Sequence, residues 1–182
     1  MIRGAALCLL LAACAVAGCV VPMPIEAEPI EVNLPPYFIT EAASPPLNQL
    51  IEFDPELEDL IELRSGPIDD PNPDDRIYFR VFVDYRPSGR NPIIFQSRAA
   101  GRSTKDLIDG LVLPFEPCAD IPNIRFVEED VHRIELVIAD RPFLGDDEEL
   151  PDEPTPRQAL PEGAFKVRLV WFVRLDGGRC AP

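Results

Sequence analysis

His132 is the single imidazole in a chain of 182 residues, so nucleophilic or general-base chemistry near neutral pH has to centre on it or on carboxylates. A serine hydrolase needs such a base beside its nucleophile, and the sharp Gly-x-Ser-x-Gly turn that presents one does not occur. His132 also falls inside a run that reads as a strand. A carboxylate pair of the glycosidase kind is open to a chain with 32 Asp and Glu, but acids this abundant serve first as a solvated surface. No phosphate-cradling glycine loop is present, and the expectation is a protein that is not an enzyme and takes no cofactor. One spacing suits a hard cation. Asp70, Asn72 and Asp74 alternate as the first three oxygen ligands of a calcium loop do, yet Pro71 and Pro73 replace the flexible spacers and no Gly follows to make the sharp turn. The competing reading is a polar turn.

Charge narrows the partners. A net of -15 with only two lysines, Lys105 and Lys166, excludes electrostatic adhesion to nucleic acid or to anionic lipid headgroups, both of which need clustered cations. The 22 prolines far exceed the usual share of about 5% and are spread through the chain, which disfavours long helices.

The elements that would position any site begin with an address. Arg3, the apolar run Ala5 to Ala15 and a small-residue site have the layout of a secretory signal, whose hydrophobic middle is about 7 to 15 residues long. Val16-Ala17-Gly18-Cys19 resembles the lipobox of bacterial lipoproteins. That resemblance implies a diacylglyceryl group on Cys19, cleavage before it, and a mature chain held at the membrane by two or three acyl chains. Leu11-Ala12-Ala13-Cys14 reads similarly but leaves a shorter apolar core, and an uncleaved span from Gly4 to Val21 is the third reading. Val20 is not Asp, which by the same resemblance points to the outer membrane of a two-membraned bacterium. The expected division is residues 1–18 as signal peptide, 19–36 as a Pro/Glu-rich tether and 37–182 as the folded domain.

With Cys8 and Cys14 in the signal and Cys19 lipidated, two thiols remain. In an oxidising exported compartment, Cys118 and Cys180 read most simply as one disulfide, since a soft-metal site would lack ligands.

Strand signals dominate from Tyr37 onward. Tyr37 to Thr40 reads as a first strand, and Leu57 to Leu63 as a weaker one. After the turn-rich stretch Asp69 to Asp75, the segment Arg76 to Asp84 alternates Ile77, Phe79, Val81 and Val83 with Tyr78, Arg80, Phe82 and Asp84, the period of two that separates two faces. Ile93 to Gln96 and Leu111 to Leu113 are shorter candidates, with Thr104 to Asp109 between them as a helical turn capped by Ser103. His132 to Asp140 and Lys166 to Leu175 alternate again, the latter with Val167, Leu169, Trp171 and Val173 inward. The acidic, proline-rich run Asp146 to Pro156 reads as a solvated loop.

Short strands, no convincing helix and proline-rich connections predict an all-β antiparallel sandwich with long proline-rich and acidic loops. The runs Asp70 to Tyr85 and His132 to Phe143 resemble the C and F strands of immunoglobulin-like and PKD-like bacterial surface domains. The resemblance implies a corner-tying role for His132, and Trp171 departs from it by lying on the last strand. It also implies that the strands at Arg76, His132 and Lys166 are neighbours, as C, F and G are. Their outward residues, Tyr78, Arg80 and Phe82, then Glu135, Val137 and Ala139, then Arg168, Val170 and Phe172, would form one face rich in aromatics, aliphatics and Arg, the composition of interface centres. Two expectations compete for that face. In one, residues 91–125 fold across it as a second core; in the other, it binds an envelope protein or polymer. A structural envelope component without a dedicated ligand is the alternative function, and a calcium-binding surface domain the third.

Overall fold

The computed structural model describes residues 32–87, 93–97, 101–119, 121, 126, 130–144, 158–176 and 180. The signal, Cys19, tether residues 19–31 and the acidic run Asp146 to Pro156 lie outside the described residues. Among those described, no helix is long and apolar enough to cross a membrane.

In chain order the strands are β1 (Tyr37–Phe38), β2 (Leu50–Phe53), β3 (Ile61–Arg64), β4 (Ile68–Asp69), β5 (Arg76–Val83), β6 (Ile93–Gln96), β7 (Arg102–Ser103), β8 (Val112–Phe115), β9 (Val131–Ala139) and β10 (Lys166–Leu175). The three long strands are those with unbroken alternation, and they sit side by side. The main sheet runs β2-β10-β9-β5-β6, with β7 paired to the start of β5. Register places Trp171 opposite Ile134, Leu169 opposite Leu136, and Val81 on the other side of Leu136. One face of this sheet is therefore continuous aliphatic and aromatic surface. Against it pack Ile61 and Leu63 of β3, Ile68 of β4, and Leu113 and Phe115 of β8, giving two layers around one core. Each such side chain contributes about 1.5–3 kcal/mol when fully buried.

The short layer is tied through polar groups as well. Buried Ser65 accepts from Leu111 N at 2.9 Å with its Oγ and donates its own amide to Leu111 O at 3.0 Å. Gly66 and Gly110 make this approach possible. Both have positive φ, and a Cβ on Gly110 would sit 2.1 Å from Gly66 O.

The architecture is all-β, as expected, but several expectations change. The main sheet is not wholly antiparallel, because β2 lies parallel to β10 with Phe172 beside Leu50. The reason is local: after Ser44 bridges Arg64 in the short layer, the chain crosses at Pro45, whose carbonyl accepts from Trp171 Nε1 at 3.0 Å. It lands beside β10 at the edge of the main sheet. Nothing in the sequence marked β2, which is four residues bounded by turns. The expected first strand stops at Phe38, since Thr40–Ala42 form a 3-10 turn. The expected strand at Leu57 begins only at Ile61; Leu57 is exposed in a turn whose amide bonds Asp54 O. The turn at Thr104–Leu107 forms, with Ser103 Oγ accepting from Lys105 N.

Candidate interaction face and its polar groove

The outward face of the main sheet combines side chains from β5, β9 and β10 in the rows the alternation predicts. Arg80 pairs with Val137, which pairs with Arg168; Phe82 pairs with Glu135, which pairs with Val170; Arg133 pairs with Phe172. Sharing a face does not give these residues a common environment. Phe82 is fully buried, as are Val137 and Ala139, whereas Phe172 is 42% exposed. Tyr78 is half-buried and Val170 intermediate.

A second small core covers the β5–β9 half. Phe82, Tyr85, Val137, Ala139 and Phe143 form it, with Tyr78, Ile93 and Leu160 packed at its margin. Arg80 is buried beneath, its guanidinium 4.6 Å from the centre of the Phe143 ring. The cover thus comes mainly from the chain around Phe143 and Leu160, clipped together where Leu144 N donates to Ala159 O at 3.0 Å. This corrects the expectation that residues 91–125 would cover the face. Of that segment's described residues, Ile93 alone contributes here; Leu107, Leu111, Leu113, Phe115 and Ile121 pack in the main core on the sheet's opposite face. The physical reason is connectivity: β8 pairs with β3 in the short layer and carries its flanks there.

Glu135 sits at the boundary between the covered and uncovered halves. Its carboxylate is buried and flanked by Arg133 Nη2 at 2.7 Å and Arg168 Nη1 at 3.8 Å. The Arg133 contact is an ion pair rather than an aligned hydrogen bond, since the same Nη2 donates to Tyr85 O at 2.8 Å. Burial, with a smaller push from Glu135, raises the Tyr85 hydroxyl above its ordinary pKa, partly offset by a hydrogen bond with the Gln158 backbone. Burial, and then Arg168, lowers Lys166.

The uncovered half is a strip along β9, β10 and β2. Phe172 lies beside Leu50, itself 39% exposed, and Val131 beside Arg174. Arg133 and Arg168 flank it, and Arg174 pairs with Glu52. Leu50 and Val131 join the strip without having been expected, because the edge position of β2 was not visible in the sequence. At the Phe172 end the strip runs into a groove of about 510 Å³ lined by Asp84, Arg86, Asp130, His132, Arg133 and Phe172 among others.

His132 is held in that groove by an acid. Its Nδ1 faces Asp84 Oδ2 at 2.7 Å, and Nε2 is buried without a hydrogen-bond partner among the described residues, with the Phe126 ring 4.0 Å away centre to centre. Asp84 also accepts from Arg133 N at 2.9 Å. The pair therefore has the orienting half of a catalytic triad and, among the described residues, no nucleophile at the other nitrogen; it ties the end of β5 to the start of β9.

Cys118 and Cys180 are disulfide-bonded with Cα atoms 5.0 Å apart, joining the end of β8 to the chain beyond β10. The calcium-like spacing is not reproduced as a ligand set. Asp70 is buried, but Asp74 is exposed, and Asn72 Oδ1 accepts from Leu34 N at 2.8 Å. Among the described residues, no three His, Cys, Asp or Glu side chains gather as a metal group.

No protein-family model, curated protein or solved structure matches the chain.

Proposed function

We propose that this protein is a lipid-anchored component of the bacterial cell envelope, held at the outer membrane through Cys19, whose domain binds an envelope protein without catalysing a reaction. The observation that carries the binding reading is the split face. One half is sealed by Phe143, Tyr85 and Leu160, while Phe172 and Leu50 stand exposed side by side on the other, bordered by arginines on an otherwise acidic chain. Aromatic and aliphatic groups ringed by Arg are what protein interfaces concentrate at their centres.

The domain reads as an immunoglobulin-like sandwich. The order β6-β5-β9-β10 corresponds to C′-C-F-G, and the β1/β4 and β3/β8 pairings to the A-B-E side of the second layer. The parallel β2 strand is a departure from the wholly antiparallel form. The lipid anchor rests on the likeness of Val16-Ala17-Gly18-Cys19 to a lipobox.

A pull-down from detergent-solubilised envelope tests the binding reading, with the full chain as bait against Phe172→Glu and Leu50→Glu. A protein captured by the parent and lost from both variants, at unchanged melting temperature, supports it. Equal capture by all three sinks the strip as the binding face, and capture by none favours a structural component without a dedicated ligand. Labelling with an alkynyl fatty acid tests the anchor: label that persists in Cys19→Ala rules out Cys19 as its site.

A further inference from the structure

Three side-chain oxygens at one corner of the domain are buried and without hydrogen-bond partners among the described residues: Asp70 Oδ2, Asp75 Oδ2 and Asn33 Oδ1. They belong to one neighbourhood. Asn33 donates through Nδ2 to Asp140 Oδ2 at 2.6 Å and to Gly163 O at 3.1 Å, which commits its amide nitrogen and leaves its carbonyl oxygen uncommitted. The next residue, Leu34, donates to Asn72 Oδ1, and Asp75 N donates to Asn72 O at 3.0 Å. Asp70 is only 4% exposed; its Oδ1 accepts from Asn72 N at 2.8 Å, so the loop from Asp70 to Asp75 is wrapped around its own carboxylate.

The charge at this corner is unbalanced. Asp70, Asp75 and Asp140 interact electrostatically with one another's surroundings, and Arg141 is the cation facing them, its Nη1 2.8 Å from Asp75 Oδ1. Burial raises the Asp70 carboxyl above its ordinary pKa, with Asp75, Asp140 and Asp69 adding to the shift. A buried oxygen without a partner is destabilising, more so when it is charged. All three acceptors lack a hydrogen-bond donor among the described residues, and Arg141 reaches Asp75 only through its other oxygen, Oδ1. Both Asp140 oxygens, by contrast, are used, by Asn33 Nδ2 and by Phe165 N at 2.9 Å.

We propose that Asp70, Asp75 and Asn33 form a binding site for a hard divalent cation of the calcium class. Two carboxylate oxygens and one amide oxygen, completed by water or main-chain oxygens, are the donor types such an ion selects. Two carboxylates and an amide are fewer acids than the three-carboxylate grouping absent from the described residues. The ligands differ from the sequence-level trio, with Asp75 in place of Asp74 and Asn33 brought in from some forty residues earlier in the chain. The ion would clip the point where the chain enters the domain, at Asn33, to the β4–β5 loop. Through Asp140 and Gly163, the same corner reaches the β9–β10 end of the main sheet.

The test is calorimetric titration of calcium, and separately magnesium, into the metal-stripped full chain, with melting temperatures measured alongside. The expected result is binding heat for calcium, weaker for magnesium, and a melting rise of about 3 to 6 °C in about 10 mM calcium. Both effects should disappear in Asp70→Asn and in Asp75→Asn and persist in Asp74→Asn. If Asp70→Asn does not fold, Asp75→Asn decides alone. No heat and no shift in the parent would overturn the proposal. So would an Asp70→Asn protein that is more stable than a calcium-insensitive parent, since the uncommitted oxygen would then be holding a proton.

Discussion

Asp84 and His132, 48 residues apart in the chain, meet at 2.7 Å through Oδ2 and Nδ1 at the point where β5 leaves β9. Asp84 takes a positive φ of 47°, a backbone region that Asp tolerates better than most residues, and the same carboxylate accepts from Arg133 N. One side chain thus holds the turn conformation and the strand pairing together.

Replacing Asp84 with Ala should cost about 2 to 4 kcal/mol, combining the lost charge-assisted bonds with strain at positive φ. Asp84→Asn should cost less than half as much, because Asn keeps an acceptor and the same backbone tolerance. Urea denaturation of both variants checks this. Equal losses would mean that the carboxylate does not hold the corner.

Phe82→Glu and Phe172→Glu place the same charge on the same sheet face and should differ sharply. Phe82 is fully buried in the second core, so its replacement should cost more than about 4 kcal/mol or prevent folding. Phe172 is 42% exposed, and its replacement should change stability by no more than about 0.5 kcal/mol. Similar losses in thermal melts of the two would remove the distinction between the sealed and open halves.

Tyr85 makes the domain sensitive to alkali. Its hydroxyl ionises later in the folded chain than in the unfolded one, so above about pH 10 the unfolded state releases the proton first and stability falls as pH rises through the window up to the raised value. Tyr85→Phe should flatten that part of the stability profile while costing something at neutral pH through the lost Gln158 contact. Melting temperature measured against pH reads both, and an unchanged alkaline limb would show that Tyr85 is not the group responsible.

The disulfide closes a loop of 62 residues, for which chain entropy gives about 4 kcal/mol. Cys118→Ser with Cys180→Ser should therefore lower stability by about 2 to 4 kcal/mol while leaving the far-ultraviolet circular dichroism unchanged. A loss well below that would mean that the unfolded chain is already compact.

Alternation alone located β5, β9 and β10, because a period of two over eight to ten residues leaves one way to bury one side, and the same pattern sorted Ile77, Leu136 and Trp171 from Tyr78, Val137 and Phe172. Sequence also marked Ser103 as a cap and Cys118 with Cys180 as the two thiols left over. It could not mark β2, whose four residues make a strand only because β10 offers them an edge. Nor could it divide the outward face. Phe82 and Phe172 lie on the same outward face of the sheet, and their fates differ because Phe143 and Leu160, on either side of a charged run, pack over one and not the other. The buried acids follow the same logic. Local spacing suggested Asp70, Asn72 and Asp74, whereas the buried oxygens left without hydrogen-bond partners among the described residues at this corner belong to Asp70, Asp75 and the distant Asn33. Periodicity determines which way a side chain points from its own strand; what it then meets depends on segments far away in the chain.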